Sequence, residues 1–129
     1  MIHTLTLNPA MDKMIYIDQF SLNITNRIKR VDYSLGGKGT HVSVNLSQMG
    51  IHSYAHGICF GSVGKQIMQS LEEAQVQNCF LHYENVESRT NYLILDRIKG
   101  DCTILAEPGV TVSESYLENM IHRMEETMK

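Results

Sequence analysis

The feature that most restricts the fold is a dense glycine cluster placed between a β-type segment and a helical one. The cluster is Gly36-Gly37-Lys38-Gly39. It is followed at once by apolar residues at helical spacing, Val42, Val44, Leu46 and Met49. Gly50 stands just past this pattern, where glycine commonly closes a helix. A strand-to-helix junction of this kind predicts an α/β unit in which the loop and the helix N-terminus face a ligand.

Strand and helix patterns alternate along most of the chain. The strand patterns are 2–8, 51–60 and 80–83, and the helix patterns are 40–49, 62–76 and 111–124. This alternation predicts a sheet with parallel core strands. Three further β-type segments do not fit the alternation, namely 12–20, 26–34 and 89–106. We expect these segments to form a small lid over one end of the main sheet, and we expect Ser62 and Thr111 to open the second and third helices.

Composition excludes several classes of protein. The chain has 129 residues, about one average domain, and a net charge of −3, so it lacks the basic excess of a nucleic-acid-binding protein. Three cysteines with no close pair do not form a disulfide framework. The start has no secretory signal pattern, and no apolar stretch is long enough to cross a membrane. We therefore expect a cytoplasmic protein with no nucleic-acid or membrane partner.

Three segments carry candidate binding chemistry. The glycine cluster with Lys38 suits a phosphate cradle, and the alternative is a glycine-rich turn with a solvated lysine. Asp12 follows the first strand, where it could accept hydrogen bonds from substrate hydroxyls or form only an Asx turn. Arg89 could bind phosphate in a bidentate manner or be a solvated surface residue. His52 and His56 stand four residues apart, but no other ligand completes a metal site, so we expect no metal-binding residues.

Taken together, six segments resemble the ribokinase-like, PfkB-type carbohydrate kinases in their order and spacing. Within that family, they most resemble the branch of 1-phosphofructokinase and tagatose-6-phosphate kinase. The segments are 6–12, 26–27, 36–39, 57–64, 88–91 and 107–109. The resemblance implies a central α/β sheet with flanking helices and a small β lid. It implies an acceptor site formed by Asp12, Arg27, Gly36, Gly37, Lys38, Gly39, His41, Arg89 and Asn91. Arg27 would reach the phosphate either within the chain or across a homodimer formed through the lid.

The sequence also departs from the family pattern. His41 stands where the family usually has Asn, and Ser43 stands where Ala is usual. The later Gly-Ala-Gly-Asp segment of the family, which supplies the catalytic base, is missing, so we expect no catalytic residue in this chain and a fold truncated before the nucleotide-binding half. The resemblance implies ATP and Mg²⁺ as cofactors of an intact enzyme, neither of them bound by this piece alone.

Three functions remain open at this point. The first is the acceptor-substrate part of a kinase of fructose 1-phosphate or tagatose 6-phosphate, inactive by itself. The second is a non-catalytic sugar-phosphate-binding or interaction module. The third is a kinase of an unphosphorylated sugar or nucleoside, against which the paired cations Lys38 and Arg89 argue.

Overall fold

The eight strands of the chain divide into two four-stranded sheets, and three helices pack on one of them. The computed structural model describes all 129 residues, Met1–Lys129. The strands are β1 (Ile2–Thr6), β2 (Ala10–Ile17), β3 (Ile28–Gly36), β4 (Ser53–Phe60), β5 (Gln77–Asn78), β6 (Leu81–Tyr83), β7 (Arg89–Asp96) and β8 (Asp101–Ala106). The helices are α1 (Lys38–Gln48), α2 (Gly61–Glu73) and α3 (Glu114–Thr127).

The core sheet is built around β4. This strand pairs in parallel with β1 on one side and with β5 and β6 on the other. The parallel arrangement predicted from strand–helix alternation is confirmed. The two-residue strand β5 was not predicted, because so short a segment carries no periodic pattern.

The second sheet has the strand order β3-β2-β7-β8. β2 runs antiparallel to β3 and parallel to β7, and β8 returns antiparallel to β7. Compared with the predicted segments 12–20 and 26–34, β2 begins two residues earlier and β3 ends two residues later. The reason is the register, since Ala10 pairs with both Gly36 and Arg89 at one end of the sheet.

Helices cover both faces of the core sheet. On one face, α1 and α2 enclose an apolar cluster of Met11, Leu35, Ala55, Cys59, Ile67, Leu71, Val76 and Phe80. On the other face, α3 contributes Met120 to a smaller cluster with Ile58 and Phe60. Met11 and Leu35 belong to the second sheet, so that sheet is joined to the core by apolar packing. The predicted α/β class, with flanking helices and an additional small sheet, is confirmed.

A buried hydroxyl network fixes α1 on the core sheet. The Oγ of Ser43 lies 2.7 Å from Oγ1 of Thr4 on β1 and accepts a hydrogen bond of 3.1 Å from Oγ of Ser53 on β4. Ser43 is completely buried. An alanine at this position would leave the two strand hydroxyls without this partner, which explains why serine suits position 43 in this chain.

The start of α2 differs from the prediction that Ser62 would cap it. The helix begins at Gly61, and the carboxylate of Glu87 accepts hydrogen bonds from the backbone N–H groups of Ser62 and Val63 at 2.9 and 3.0 Å. These hydrogen bonds keep the pKa of Glu87 below its usual value. The capping group therefore comes from a residue distant in sequence, where a local pattern could not show it.

The start of α3 also differs from the prediction. Ser113 is the N-cap, and its Oγ accepts a hydrogen bond of 3.3 Å from the backbone N–H of Tyr116. The expected cap at Thr111 is wrong, because the helix begins only at Glu114. Thr111 and Ser113 both carry a hydroxyl group that can cap a helix. It is the hydroxyl of Ser113 that lies within hydrogen-bond distance of a free N–H group in the first turn of α3.

A histidine pair lies beneath the end of α3. Nε2 of His56 is 2.9 Å from Nδ1 of His3, and His56 is completely buried. Burial, followed by the charges of His3 and Arg123, lowers the pKa of His56 below its ordinary value. His56 is therefore neutral in the folded protein at a pH where the unfolded chain would bind a proton.

We expect this burial to make the protein less stable in mild acid. The unfolded chain takes up a proton at His56 near its ordinary pKa of about 6.5, whereas the folded chain does not, so the free energy of unfolding should fall as the pH is lowered from about 7 to 5. Urea unfolding followed by circular dichroism measures this slope. His56→Gln should reduce it, and His122→Gln, at a surface site, should not. Equal slopes in the wild type and His56→Gln would contradict the assignment.

Candidate functional site

A cleft of about 400 Å³ opens where β1 ends, α1 begins and β7 begins. Its lining consists of Leu5, Thr6, Leu7, Asn8, Gly37, Lys38, Gly39, His41 and Arg89. Five of the residues predicted from the sequence therefore share one cleft, namely Gly37, Lys38, Gly39, His41 and Arg89. The cleft lies at the carboxyl end of β1, which is where ligands commonly bind in open α/β sheets.

The glycines let α1 approach β1 closely. A Cβ atom at Gly39 would lie 2.6 Å from the carbonyl oxygen of Leu5 and would also collide with Oγ1 of Thr6. Gly37 has a φ of 109°, a backbone conformation that residues with side chains rarely adopt. Only glycine at both positions allows the chain to turn and to start a helix directly against the end of β1.

The N-terminus of α1 faces the cleft without a side-chain cap. Gly37 occupies the N-cap position, and no side chain accepts from the first turn. The hydroxyl of Thr40 donates to the carbonyl oxygens of Gly36 and Gly37, both at 2.8 Å, and so stabilises the turn without occupying the helix N–H groups. The free N–H groups and the positive end of the helix dipole suit an anion.

Two cations border this helix end. Lys38 is the first residue of α1, and Arg89 is the first residue of β7. Nη2 of Arg89 donates to the carbonyl oxygen of Asn8 at 3.1 Å, which fixes the guanidinium, while its buried Nε has no partner. No aspartate or glutamate lines the cleft, so neither charge is neutralised there. The cleft therefore offers an anion two cations and one helix end.

The backbone beside Arg89 is held firmly. Ser88 is buried, and its Oγ accepts a hydrogen bond of 2.9 Å from the backbone N–H of Phe60. Its own N–H donates to the carbonyl oxygen of Phe60 at 3.1 Å. With Glu87 bound to the start of α2, two successive residues attach the entry of β7 to the core sheet, and they fix where Arg89 begins.

Asp12 and Asn91 form a neighbouring polar pair. They are paired positions of β2 and β7, and Nδ2 of Asn91 donates to Oδ1 of Asp12 at 3.1 Å. Oδ1 of Asn91 is buried without a partner, so it can accept a hydrogen bond. A Cβ atom at Gly36 would lie 2.7 Å from Oδ1 of Asp12, which places the pair beside the glycine loop. Asp12, Asn91 and Gly36 adjoin the cleft but do not line it.

Arg27 is not brought to this site. It is exposed and precedes β3, whereas Gly36 is at the opposite end of that strand. Eight residue steps along a strand span roughly 26 Å. Within one chain, Arg27 is therefore remote from Lys38.

Thr6 is a candidate site residue that the sequence reasoning did not single out. It is nine-tenths buried and lines the cleft, yet its Oγ1 has no hydrogen-bond partner. A buried hydroxyl without a partner is costly unless a ligand or water completes it. The segment 6–12 was recognised as a motif, but nothing in its spacing distinguished Thr6 from the other residues.

The chain matches the model of the pfkB family carbohydrate kinases over residues 5–121. The fold and the cleft define an α/β protein with a cationic cleft at one end of its core sheet, and the chain belongs to the PfkB family. The resemblance stated from the sequence motifs is confirmed.

Several proteins resemble the chain over nearly its whole length. A tagatose-6-phosphate kinase of Staphylococcus epidermidis is 33% identical over 98% of this chain and 41% of the relative. A structure described as a possible 1-phosphofructokinase from Thermotoga maritima is 33% identical, with a TM-score of 0.87, over 98% of this chain and 41% of that one. The phosphofructokinase-2 of Escherichia coli in complex with fructose-6-phosphate has a TM-score of 0.89 at 21% identity, over 97% and 41%. The chain thus spans about 41% of the length of the curated relative.

No group of three or more His, Cys, Asp or Glu side chains is arranged to hold a metal ion. None of the three helices has the length and apolar character needed to cross a bilayer.

Because Gly39 lies against β1, we expect an alanine at this helix position to lower the stability of the protein instead of raising it. Alanine normally stabilises a helix relative to glycine by about 1 kcal/mol, but Gly39→Ala should destabilise the protein by about 2 kcal/mol because its Cβ would collide with β1. Gly50→Ala is the matched control, since a Cβ atom at position 50 would face open space. This substitution should lower the stability by about 1 kcal/mol, from the strain of the positive φ alone. Urea unfolding measures both, and a stabilised Gly39→Ala variant would contradict the packing.

Proposed function

We propose that the chain is the acceptor-substrate part of a sugar-phosphate kinase that acts on fructose 1-phosphate or tagatose 6-phosphate. The observation that carries the proposal is the cleft lined by Lys38, Arg89 and the N-terminus of α1, with no carboxylate in its lining. Membership of the PfkB family and 33% identity to a tagatose-6-phosphate kinase support the sugar-phosphate class.

The phosphate group of the acceptor would bind at this cationic end. A phosphate dianion can accept hydrogen bonds from the free N–H groups of α1, from Lys38 and from the donors of Arg89 that Asn8 does not use. Because Arg89 is already fixed by Asn8, little side-chain freedom is lost on binding. Such a site would favour phosphorylated over neutral sugars.

The hydroxyl groups of the sugar would bind at Asp12 and Asn91. Asp12 is adjacent to the glycine loop, and Oδ1 of Asn91 is an unused buried acceptor. Both groups can accept hydrogen bonds from hydroxyls. A ligand with phosphate at one end and hydroxyls at the other would therefore span the cleft and the neighbouring polar pair, which orients it.

The second sheet would serve as a lid in this proposal. Its strands β2 and β7 carry Asp12 and Arg89, so a sheet that contacts the sugar can also exclude water from phosphoryl transfer. Arg27 would contribute only from the partner subunit of a homodimer formed through this sheet, because it is remote from the cleft of its own chain. A cytoplasmic location belongs to the same proposal.

The cofactors of the intact enzyme would be ATP and Mg²⁺, bound by the part of the relatives that this chain does not match. The residues present do not group into a metal site. In this proposal the residues of this chain act on the acceptor, by binding its phosphate, orienting its hydroxyls and excluding water.

Binding to the purified 129-residue chain tests the proposal. Isothermal titration with fructose 1-phosphate and tagatose 6-phosphate should detect binding, and Lys38→Ala should weaken it about tenfold or more, since a hydrogen bond to a charged group contributes roughly 1.5–3 kcal/mol. Lys29→Ala, another exposed lysine, is the control and should leave affinity unchanged. Stronger binding of fructose than of its phosphate would instead favour a kinase of neutral sugars.

We also expect the 129-residue chain to have no kinase activity by itself. Phosphoryl transfer depends on positioning and charge neutralisation around the nucleotide, and this chain offers residues for the acceptor only. Incubation with ATP, Mg²⁺ and either sugar phosphate, followed by a coupled ADP assay, should give no turnover above that of a Lys38→Ala sample. ATP-dependent formation of the bisphosphate by pure chain would show that the acceptor-only assignment is wrong.

A further inference from the structure

His41 is the one side chain lining the cleft that can change its charge near neutral pH. It lies in the first turn of α1 and lines the cleft together with Lys38 and Arg89. Nε2 of His41 is 2.6 Å from the carbonyl oxygen of Leu35. A carbonyl oxygen only accepts hydrogen bonds, so Nε2 carries a proton and donates it. The other ring nitrogen, Nδ1, is consequently the atom that gains or loses a proton.

We propose that His41 is a pH-dependent anion-binding residue of this cleft, which donates from Nδ1 to the bound phosphate group when the ring is protonated. This inference rests on the proposed function and deepens it, because it makes ligand binding at the same site depend on pH. It makes affinity for a dianion higher in mild acid than in mild base.

The residues that line the cleft together with His41 set the charge around the bound anion. Lys38 from α1 and Arg89 from β7 are cations, Thr6 from β1 is neutral, and no carboxylate lines the cleft. A bound dianion attracts the charged form of the ring, so binding of the anion and of the proton favour each other. Asp12 does not cancel the effect, because it lies outside the lining and is hydrogen-bonded to Asn91.

A purely structural histidine would behave differently. The hydrogen bond from Nε2 to Leu35 is formed by the neutral ring as well as by the charged one. If that bond were the only role of His41, ligand binding and ring protonation would be independent. The link between the two is therefore what distinguishes an anion-binding histidine from a structural one.

The first test is the pH profile of sulfate binding to the 129-residue chain. Sulfate is a suitable probe because it keeps its double charge across the range, whereas a phosphate ester titrates near pH 6. Followed by NMR between about pH 5.5 and 8.5, the affinity of the wild type should fall about tenfold, and that of His41→Asn and His41→Gln should stay level. Lys38→Ala should lower affinity at every pH without removing the slope. Identical profiles for the wild type and His41→Asn would overturn the inference.

The second test needs no variant to fold. The ring protons of His41 in the wild type are titrated by NMR with and without saturating sulfate. The midpoint should move to higher pH when sulfate is bound, and an unmoved midpoint would overturn the inference. The exposed His52 is the internal control and should titrate alike in both samples.

The two proposals fail in different ways. If neither sulfate nor a sugar phosphate binds at any pH, the proposed function is wrong, and the inference fails with it. If a sugar phosphate binds in a manner that requires Lys38, but His41 titrates independently of sulfate, only the role of His41 is wrong.

Discussion

The direct contact of α1 with the core sheet is the constraint on which the site depends. Gly39 lets the helix begin against the carbonyl oxygen of Leu5, and Ser43 joins Thr4 and Ser53 one turn further along. These contacts fix both the position and the direction of α1 relative to the core sheet. Its N-terminus consequently lies at the end of β1, where the dipole and Lys38 can act on the same ligand.

The second sheet supplies the remaining half of the site through its register. Ala10 pairs with Gly36 and with Arg89, so the ends of three strands meet beside the glycine loop. The next pair on the same face, Asp12 and Asn91, follows from the twofold period of strands. One register thus aligns Arg89 with the glycine loop and Asp12 with Asn91, and a slip by one residue would separate these pairs.

The sequence predicted the fold class and the residues of the cleft better than it predicted contacts between distant segments. Alternating strand and helix patterns identified the core sheet, and the glycine cluster identified the start of α1. The cap of α2 was missed because Glu87 lies far along the chain from the helix it caps. Thr6 was missed because an unpaired buried hydroxyl is a property of packing. Arg27 was assigned to the acceptor site by resemblance alone, and the length of β3 separates it from Lys38 within one chain.

Glu87 and Ser88 have a consequence for protein engineering. They attach the entry of β7 to the start of α2 and to the end of β4. A hairpin transplanted from a relative would keep the correct position of its arginine only if this two-residue anchor, together with Gly61, were transferred with it, because a Cβ at Gly61 would overlap the carboxylate of Glu87. Chimeras in this family are therefore best joined upstream of the anchor and not at the first residue of the strand.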